Sequence, residues 1–420
     1  MTETVTTTTH PTGEPAQVPR LQNRMSHDTW LSAKIAEVRA HARAAVEAVV
    51  MPHAREIGTT EESVDSFPWK AFRGMADEGL FAAPFARPHG SGFDQPMLAT
   101  CTVTEEIAYH SSSMAGVYDG QCILTPQALS FASAEVQELL VPRLISGQSV
   151  FSFATTEPDA SSDLSVESMQ TVLTATDGGY FVNGRKRWIT NSVVADWAAV
   201  LCRDGEAMTM VLIDMKNTKG IRVGAPDLKM GHRGQLTADI VFDNAFVSSG
   251  YVLGARGGGL AVALSCLTRG RIGIAAAGVG VAQAALDLAV ERLRTRHAFG
   301  GPLGKLQYWQ FKMAERATEI ECSRTLYQKA ATRLDAEGGS AEPEAAMAKA
   351  YATRVAVDTV RDSLQIHGGY GFARQVSETG ESVRLEELYR DAKILEIFEG
   401  ANELQQWIIA RRLIGRDVTG

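Results

Sequence analysis

The feature that most constrains the fold is that the spacing of apolar residues changes twice along this 420-residue chain. Residues 27–149 repeat apolar side chains every three or four positions, which is typical of amphipathic helices. Residues 150–255 hold short β-rich runs between glycine-containing turns, which predicts strands. Residues 256–420 return to long helical patterns. The chain is therefore predicted to be an α+β multidomain protein: an N-terminal helical domain, a central antiparallel β-domain and a C-terminal helical bundle.

The β-domain is predicted from turn chemistry. Asp177-Gly178-Gly179 supplies a turn between two β-rich runs, and Asp204-Gly205 does the same in the next pair. One more strand is expected in QLTADIVFDNAFV, residues 235–247.

The C-terminal region is predicted to contain four long helices after the glycine-rich sequence GARGGGL. They are expected over residues 261–296, 307–337 and 343–367, with a last helix ending near residue 414. The small side chains of residues 275–278 predict close packing between helices.

Composition excludes several classes of protein. The net charge of -8 argues against a general nucleic-acid surface, which needs a basic excess. Polar residues interrupt the apolar stretch 272–290, which predicts a buried helix rather than a membrane span. Scattered cysteines and histidines without ligand spacing favour no disulfide, no metal and a reducing, cytoplasmic location. Residues 1–26, rich in Thr and Pro, are expected to form a disordered tail.

Three regions each give a weak indication of a ligand site. FATTEPDASSDL, residues 153–164, predicts a strand that opens into a Ser-rich turn, followed by NGRKRWITNS at 183–192. RTRHAFGGPLGKLQ, residues 294–307, ends a helix in a basic and then glycine-rich turn. LQIHGGYGF, residues 364–372, has glycines that allow a close approach of ligand or backbone. For a lone Ser-rich turn, a helix N-cap or a surface loop is the more common explanation, and either glycine-rich turn alone is weak evidence.

The helical pattern of RDAKILEIFEGANELQQWIIARR, residues 390–412, is interrupted in its middle at Glu399. Gly400 is predicted to end or bend the first helix, and Asn402 with Gln405 to cap the second. Glu399 is then expected at a helix C-terminus, whose partial negative charge raises the pKa of a carboxylate. A solvated glutamate on a helix surface is the alternative interpretation.

Taken together and in this order, these motifs resemble the acyl-CoA dehydrogenase family of flavoenzymes, from about residue 27 to the C-terminus. The matching motifs are Thr156-Glu157-Pro158, Trp188-Ile189-Thr190, Arg296 with Phe299-Gly300, Gln307, Gln365 to Gly371, Arg390 to Ile394 and Glu399-Gly400.

The resemblance implies that the C-terminal region is a four-helix bundle and that FAD lies between it and the β-domain. Phe153, Thr155 and Thr156 are expected along the isoalloxazine ring, with Trp188 and Thr190 over its other face and Thr190 near N5. A neighbouring subunit is expected to complete the adenosine end of FAD, which implies a homotetramer. The residues matched to that end are Arg296, Phe299, Gln307, Gln365, Gly368 and Gly369.

The resemblance also implies the reaction, which is α,β-dehydrogenation of an acyl thioester, with acyl-CoA as the first expectation. Glu399 matches the base that removes the α-proton while flavin N5 takes the β-hydride, since no side chain accepts hydride. Burial in an apolar cleft raises the pKa of such a carboxylate toward neutrality. The thioester oxygen is expected to accept hydrogen bonds from a flavin ribityl hydroxyl and the backbone N–H of Glu399.

Other residues are expected around this base. Some relatives carry the base just before the position of Arg271, but that position is Gly270 here, which cannot serve. Arg271, Gly400 and Ser162 are expected to contact the substrate, and Ser162 also the diphosphate of FAD. A helix-surface salt bridge is an equal alternative for Arg271. The stretch VYDGQCIL, residues 117–124, either lines the acyl pocket or packs helices.

Departures from the family pattern keep other functions open. The turn after the first motif is Asp159-Ala160-Ser161-Ser162 in place of a glycine-rich one, Thr268 replaces an aspartate, and Ala401 replaces a threonine. The segment 373–389 is longer than the common form. A carrier-protein thioester of secondary metabolism therefore stays open beside acyl-CoA.

Two further functional classes remain as alternatives. A flavin oxidase or monooxygenase on the same fold often lacks the glutamate, and a non-catalytic scaffold would have lost the flavin residues. The electrons of a dehydrogenase are expected to pass to an electron-transfer flavoprotein or another acceptor.

Overall fold

The computed structural model describes residues 30–337 and 341–419. Helices, then a sheet, then long helices follow one another along the chain, so the predicted fold class is confirmed. The tail predicted for residues 1–26 lies outside the described residues.

The N-terminal region is helical, and its elements are α1 Ala33–Val49, α2 Ala54–Thr59, α3 Trp69–Asp77, α4 Pro96–His110, α5 Ser112–Asp119, α6 Thr125–Leu129 and α7 Ala134–Ile145. Ser32 and Ser111 begin α1 and α5, because each side chain accepts a hydrogen bond from a backbone N–H of the first turn. A π-helical turn, Gly120–Leu124, joins α5 to α6. Such turns are rare and frequently mark functional sites.

The β-domain is one eight-stranded sheet in the order β6-β7-β3-β2-β4-β5-β8, with β1 beside β4. Its strands are β1 Phe151–Ala154, β2 Val172–Thr176, β3 Gly179–Thr190, β4 Trp197–Asp204, β5 Ala207–Asp214, β6 Ile221–Val223, β7 Thr237–Ser248 and β8 Val252–Leu253. Both predicted hairpins are present, with Val172 opposite Asn183 and Trp197 opposite Asp214. In addition β1 and β2 run parallel to β4, which the hairpin pattern did not indicate.

The C-terminal region contains α8 Gly259–Thr295, a small hairpin of β9 His297–Ala298 and β10 Gly301–Pro302, α9 Gln307–Glu337, α10 Glu342–His367, α11 Gly369–Phe372, α12 Leu385–Leu395, α13 Asn402–Ile414 and α14 Arg416–Thr419. The four predicted long helices are thus present within one or two residues of their expected bounds. Among the described residues α8 alone is long and apolar enough to cross a membrane, and 94% of its apolar window is buried inside the protein.

Close helix packing, predicted from small residues, centres on two glycines of α8. A Cβ on Gly278 would lie 3.1 Å from the carbonyl oxygen of Ala352 in α10. A Cβ on Gly280 would lie 2.3 Å from the carbonyl oxygen of Glu105 in α4. The backbone of α8 therefore approaches both neighbouring helices closely, which fixes the N-terminal region against the bundle.

A buried ion cluster adds to this contact between α1, α4 and α9. Glu105 accepts hydrogen bonds from Arg39 at 3.2 Å and from Arg324 at 3.0 Å, and Tyr327 also donates to it. Burial alone would raise the pKa of Glu105, but the two arginine charges outweigh it and lower the pKa to about 2.

Candidate active site

Glu399 lies in the turn between α12 and α13, with a backbone φ of 55°. The helix α12 ends at Leu395, and the backbone N–H of Asn402 closes the turn by donating to the carbonyl of Glu396 at 3.0 Å. Gly400 follows with a φ of 87°. Left-handed φ values are uncommon for residues with a side chain and persist only where the surroundings enforce them. The fold thus fixes Glu399 in a costly conformation, which is frequent at active sites.

Two local predictions for this turn are wrong. Gly400 does not end the first helix, because α12 has already ended before it. Asn402 does not cap α13 with its side chain, which instead accepts from Lys349 Nζ at 3.0 Å and donates to Thr353 Oγ1 at 3.0 Å. Gln405 Nε2 donates to the carbonyl of Gly400 at 2.8 Å. Partners on α10 thus hold the side chain of Asn402, whereas Gln405 bonds locally within the turn.

The carboxylate of Glu399 points at α8. A Cβ built on Gly270 would lie 2.6 Å from Glu399 Oε2 and 2.9 Å from Leu124 Cδ2 of the π-helical turn. Although Glu399 as a residue is only half-buried, Oε2 is buried and has no hydrogen-bond partner among the described residues. The glycine at 270 is what leaves room for the carboxylate.

Burial raises the pKa of Glu399 to about 7, and the positive charges of Arg271 and Lys349 oppose this rise. The prediction of a raised pKa rested partly on a helix C-terminus, but Glu399 lies beyond the end of α12 and desolvation is the main cause. A carboxylate with a pKa near neutrality is suited to act as a general base at physiological pH.

Arg271 is nine-tenths buried in α8 and is electrostatically coupled to Glu399. Its Nη1 lies 4.0 Å from Glu342 Oε1, at the limit of an ion pair. Nε and Nη1 have no hydrogen-bond partner among the described residues. Arg271 is therefore a buried cation whose charge acts on Glu399, and not part of an exposed helix-surface salt bridge.

Lys349 is a residue of this site that sequence reasoning missed. It is fully buried on α10, where Nζ donates to the carbonyl of Gly400 at 2.9 Å. Burial lowers its pKa to about 7, and the charges of Glu399 and Glu396 oppose this change. The signal available in the sequence was a lysine within the otherwise apolar alanine stripe EAAMAKAYA.

Asp119 is a second carboxyl group near Glu399 that was not singled out from the sequence. It ends α5 directly before the π-helical turn and is nearly fully buried. A Cβ on Gly273 would lie 2.3 Å from Asp119 Oδ1, so Gly273 leaves room for this carboxyl as Gly270 does for Glu399. Burial, and then the charge of Glu399, raise the pKa of Asp119 well above its usual value.

On the β-domain side, the end of β1 is fixed by β3. Lys186 Nζ donates to the carbonyl of Thr155 at 3.1 Å and to Glu157 Oε1 at 2.8 Å. The backbone N–H of Arg187 donates to the carbonyl of Thr156 at 2.9 Å. The side chain of Phe153, on the same strand, is half-buried. The three residues expected along the flavin ring therefore share one strand end, held by a buried ion pair.

The turn after this strand end stays compact without the usual glycines. The backbone N–H of Glu157 donates to the carbonyl of Ala160 at 2.7 Å, and Glu157 Oε2 accepts from the N–H of Gln170 at 2.6 Å. Ser162 is exposed beyond this turn. Its side chain is therefore accessible to the diphosphate and the substrate that it is predicted to contact.

Trp188 lies at a β-bulge, where the pairing of β3 with β7 shifts between Lys186 and Ile189. Its φ is 59° and its indole is 52% exposed, with the Arg187 guanidinium 4.5 Å from the ring centroid. A bulge re-aims a side chain. Here it turns a large aromatic face away from the core, where a planar ligand can stack on it.

Thr190 belongs to a buried chain of hydrogen bonds. Ser112 donates to His232 Nε2 at 2.7 Å, His232 Nδ1 donates to Gln235 Oε1 at 2.8 Å, and Gln235 Nε2 donates to Thr190 Oγ1 at 3.1 Å. Burial lowers the pKa of His232 to about 4, so the ring is neutral near pH 7. The hydroxyl of Thr190 therefore accepts from within the protein, and its own hydrogen is left to donate outward.

The two regions meet at the π-helical turn. A Cβ on Gly120 would lie 3.9 Å from Thr190 Cγ2. The neighbouring Asp119 is coupled to Glu399, and the imidazole of His232 packs edge-on at 5.7 Å against Phe398. The structure thus brings Glu399, Arg271, Gly400 and the Thr190 region into one locality.

Six predicted cofactor residues do not converge there. Arg296 and Phe299 follow the end of α8, about 38 Å along the helix from Arg271 at 1.5 Å per residue. Phe299 is 92% exposed, and Gln307 and Gln365 are also exposed. Gly368 and Gly369 are exposed at the end of α10, where the Arg292 guanidinium lies 5.1 Å from the ring centroid of neighbouring Tyr370. Their contacts with an adenosine group completed by another subunit stay a prediction.

A cavity of 640 Å³ opens between the N-terminal part of α10 and α13. Glu342, whose Oε1 lies 4.0 Å from Arg271 Nη1, forms part of its wall. The Arg411 guanidinium lies 4.1 Å from the ring centroid of Trp407, and its Nε has no hydrogen-bond partner among the described residues. The basic residues of the wall are Arg333, Arg411, Arg412 and Arg416.

The fold and site define a class of enzyme. Its helical bundle carries a buried carboxylate, Glu399, and its β-domain carries an exposed indole, Trp188, and a hydroxyl, Thr190, in the same region. The chain matches the descriptions "Acyl-CoA dehydrogenase, N-terminal domain" over residues 32–148, "middle domain" over 152–245 and "C-terminal domain" over 257–414. It belongs to the acyl-CoA dehydrogenase family.

Individual relatives agree. The chain is 34% identical over 386 residues to a 3-(aryl)acrylate reductase of Clostridium sporogenes, covering 90% of this chain and 97% of the relative. It is 34% identical to the mitochondrial short-chain specific acyl-CoA dehydrogenase of Homo sapiens, covering 83% of each chain. The butyryl-CoA dehydrogenase structure from Megasphaera elsdenii is similar with a TM-score of 0.83 and 30% identity, covering 91% of this chain and 99% of that one.

Family membership makes this chain an FAD-dependent oxidoreductase acting on CH–CH bonds. The residues present fit the cofactor, because Trp188 presents an exposed aromatic face and Thr190 a free hydroxyl hydrogen. Phe153, Thr155 and Thr156 would hold the ring from the strand end. When bound, FAD supplies the hydride acceptor that no side chain provides.

Proposed function

We propose that the enzyme removes the α-proton and β-hydride of an acyl thioester, with Glu399 as the base. The observation that carries this proposal is the Glu399 carboxylate: Oε2 is buried beside Gly270, lacks any described hydrogen-bond partner and has a pKa raised to about 7. A base must be ionised at working pH and still hold a proton after abstraction. A pKa near neutrality meets both requirements.

The chain also offers a site for the thioester oxygen. The backbone N–H of Glu399 donates no hydrogen bond within the described residues. Lys349 and Gln405 both bind the next carbonyl, that of Gly400, and so fix the orientation of this part of the turn. A pre-oriented N–H stabilises the negative charge that develops on the oxygen as the α-proton leaves.

Acyl-CoA is the proposed form of the thioester. The arginine-bearing cavity whose wall includes Glu342 supports this choice, since arginines bind phosphate oxygens through forked donors. Trp407 on the same wall offers an aromatic face for a base. A carrier-protein thioester brings one phosphate and no nucleotide base, so it would use fewer of these residues.

The test compares Glu399→Gln with Glu403→Gln, which removes an exposed carboxylate from the same segment. Both proteins are expected to bind FAD and be yellow. Under anaerobic conditions acyl-CoA should bleach the flavin of the wild type and of Glu403→Gln, but not that of Glu399→Gln. Normal bleaching in Glu399→Gln would refute the assignment.

A panel of thioesters separates the alternatives. Equal reduction by acyl-CoA and by the matching acyl-carrier protein would remove the preference for CoA. Stoichiometric hydrogen peroxide or a hydroxylated product, with no transfer to an electron-transfer flavoprotein, would favour an oxidase or monooxygenase. The reductase among the relatives makes the reverse direction, reduction of an enoyl thioester, part of the same assay.

We further propose a cytoplasmic homotetramer. Large aromatic side chains are exposed near the predicted adenosine residues, which supports their burial by another subunit. These side chains are Phe299, Tyr308, Phe311 and Phe372. Analytical ultracentrifugation of the holoenzyme tests the tetramer.

A further inference from the structure

Asp119 has a carboxyl group that the proposed reaction does not use. It is 3% exposed, and Oδ1 makes no hydrogen bond within the described residues. Burial of a carboxyl without a hydrogen-bond donor is costly, and most buried polar groups have partners. Oδ1 of Asp119 is therefore an unusual buried acceptor, because no described group donates a hydrogen bond to it.

A local structural role does not explain Asp119. The side chain could have capped the π-helical turn or paired with a cation, but it does neither in the described chain. No cation opposes the rise of its pKa, whereas Arg271 and Lys349 do so for Glu399.

The position of Asp119 relates it to the substrate. Gly270 and Gly273, three residues apart on α8, leave room for Glu399 and Asp119 respectively. Residues three apart lie on the same helix face, about 5 Å from one another along the surface. The carboxyl groups of Asp119 and Glu399 therefore contact the same face of α8, about one helical turn apart.

The β-domain closes the other side of this space. Gly120, next to Asp119, lies against Thr190 and Asn191. A thioester held with its α-carbon at Glu399 and its β-carbon toward the Thr190 side would direct the rest of its acyl group past Asp119. The apolar Ile123 side chain, with Cδ1 2.4 Å from the Cβ position of Gly273, borders the same space.

We propose that Asp119 is a specificity-determining residue that binds a hydrogen-bond donor, a hydroxyl or amino group, carried by the acyl chain beyond the two desaturated carbons. This assignment rests on the proposed dehydrogenation. An O–H or N–H of the substrate would donate the hydrogen bond that Asp119 Oδ1 lacks within the described residues. An unsubstituted acyl chain leaves the carboxyl unsatisfied, and such sites reject the analogue without the donor strongly.

The test uses FAD-loaded enzyme and matched thioesters. Butanoyl-CoA is compared with its γ-hydroxy and γ-amino derivatives, and pentanoyl-CoA with its δ-hydroxy and δ-amino derivatives. Anaerobic flavin reduction gives kcat/KM for each. Binding is measured separately in the Glu399→Gln background, as the change in flavin absorbance without turnover. The wild type is expected to prefer a substituted chain by about tenfold or more.

Three variants locate the effect. Asp119→Leu should remove the preference and improve use of the unsubstituted chains, because an apolar side chain replaces an unsatisfied carboxyl. Asp119→Asn should keep a preference for a hydroxyl-bearing chain, because the amide oxygen still accepts a hydrogen bond from the hydroxyl. It should lose a preference for an ammonium-bearing chain, because the negative charge of the carboxylate is gone. Met114→Leu, a buried change on the same helix α5, should keep the wild-type ratio.

The outcomes separate two failures. If unsubstituted chains reduce the flavin and Asp119→Leu changes no ratio in either assay, the assignment of Asp119 is wrong and the proposed function stands. If no thioester of the panel reduces the wild-type flavin or binds the Glu399→Gln protein, both fail together. Visible flavin and an unchanged melting temperature show that Asp119→Asn is folded.

Discussion

Oε2 of Glu399 lies 2.6 Å from the point where a Cβ on Gly270 would stand. The two residues are far apart in sequence, yet their space is shared. A Cβ at 270 would collide with the carboxylate of Glu399, so that carboxylate would have to move. The sequence indicated only that Gly270 could not be the base, whereas the structure adds that it makes space for one.

Gly270→Ala should therefore reduce activity while leaving the flavin in place. The added methyl displaces the Glu399 carboxylate, and a shift of about 1 Å at a reacting group costs about a hundredfold in rate. Anaerobic stopped-flow reduction of the flavin measures this rate. Gly250→Ala is the control, because nothing lies within 4 Å of its Cβ position. An unimpaired Gly270→Ala enzyme would show that the carboxylate position is not critical.

The rate of flavin reduction should rise with pH through a midpoint near 7, as Glu399 loses its proton. Lys349 opposes the raised pKa of Glu399, so Lys349→Met should move the midpoint upward by about 1 pH unit. The measurement is the pH profile of the pre-steady-state rate. Lys393→Met, which removes an exposed lysine paired with Glu396, should leave the midpoint in place. A downward shift in Lys349→Met would contradict the electrostatic account.

Gln235→Leu should weaken FAD binding, because Gln235 orients the hydroxyl of Thr190. One lost hydrogen bond of about 1 kcal/mol corresponds to a roughly fivefold higher FAD dissociation constant. Titration of flavin-free protein by fluorescence quenching gives this constant. Since the pKa of His232 is lowered to about 4, FAD affinity should show no His232 titration between pH 6 and 8. Gln170→Leu, an exposed glutamine of the same domain, is the control.

Glu105→Gln should destabilise the N-terminal region by about 1.5–3 kcal/mol at pH 7, because buried Arg39 and Arg324 lose their shared carboxylate while each keeps one other carboxylate partner. The pKa of Glu105 is lowered from 4.5 to about 2, so its contribution is complete above about pH 4.5 and is lost as pH falls toward 2. Thermal unfolding at pH 7, 4 and 3 should show the difference between wild type and variant shrinking with acid. Glu37→Gln, an exposed ion-pair change, should matter little.

Phe299→Ser should weaken the tetramer, because the side chain is 92% exposed in the single chain and lies beside the residues matched to a shared adenosine site. Sedimentation velocity is expected to show smaller species at micromolar protein, together with weaker FAD binding. Val64→Ser, another exposed apolar residue, should leave both unchanged. A tetramer that persists with normal FAD affinity would place the interface elsewhere.

Regular elements were predictable to within a residue or two where the pattern was long. The helix α9 has the predicted bounds, and the hairpin of β2 and β3 forms around the predicted turn. Periodicity and turn residues act locally, so they are legible in one sequence. The parallel pairing of β1 with β4 could not be predicted in this way. It joins residues more than 40 positions apart in sequence, such as Phe151 and Trp197.

The amino-acid sequence by itself determined the order of the three regions and marked Glu399 as a residue in an unfavourable position for a helix. Only the tertiary structure decided why its pKa is raised, that Lys349 joins Gln405 in fixing the turn, and that Asp119 lies close to it. The physical reason is that desolvation and charge coupling depend on which segments pack together. A carboxyl acquires these properties from neighbours on α5, α8 and α10, and no spacing in the chain encodes them locally.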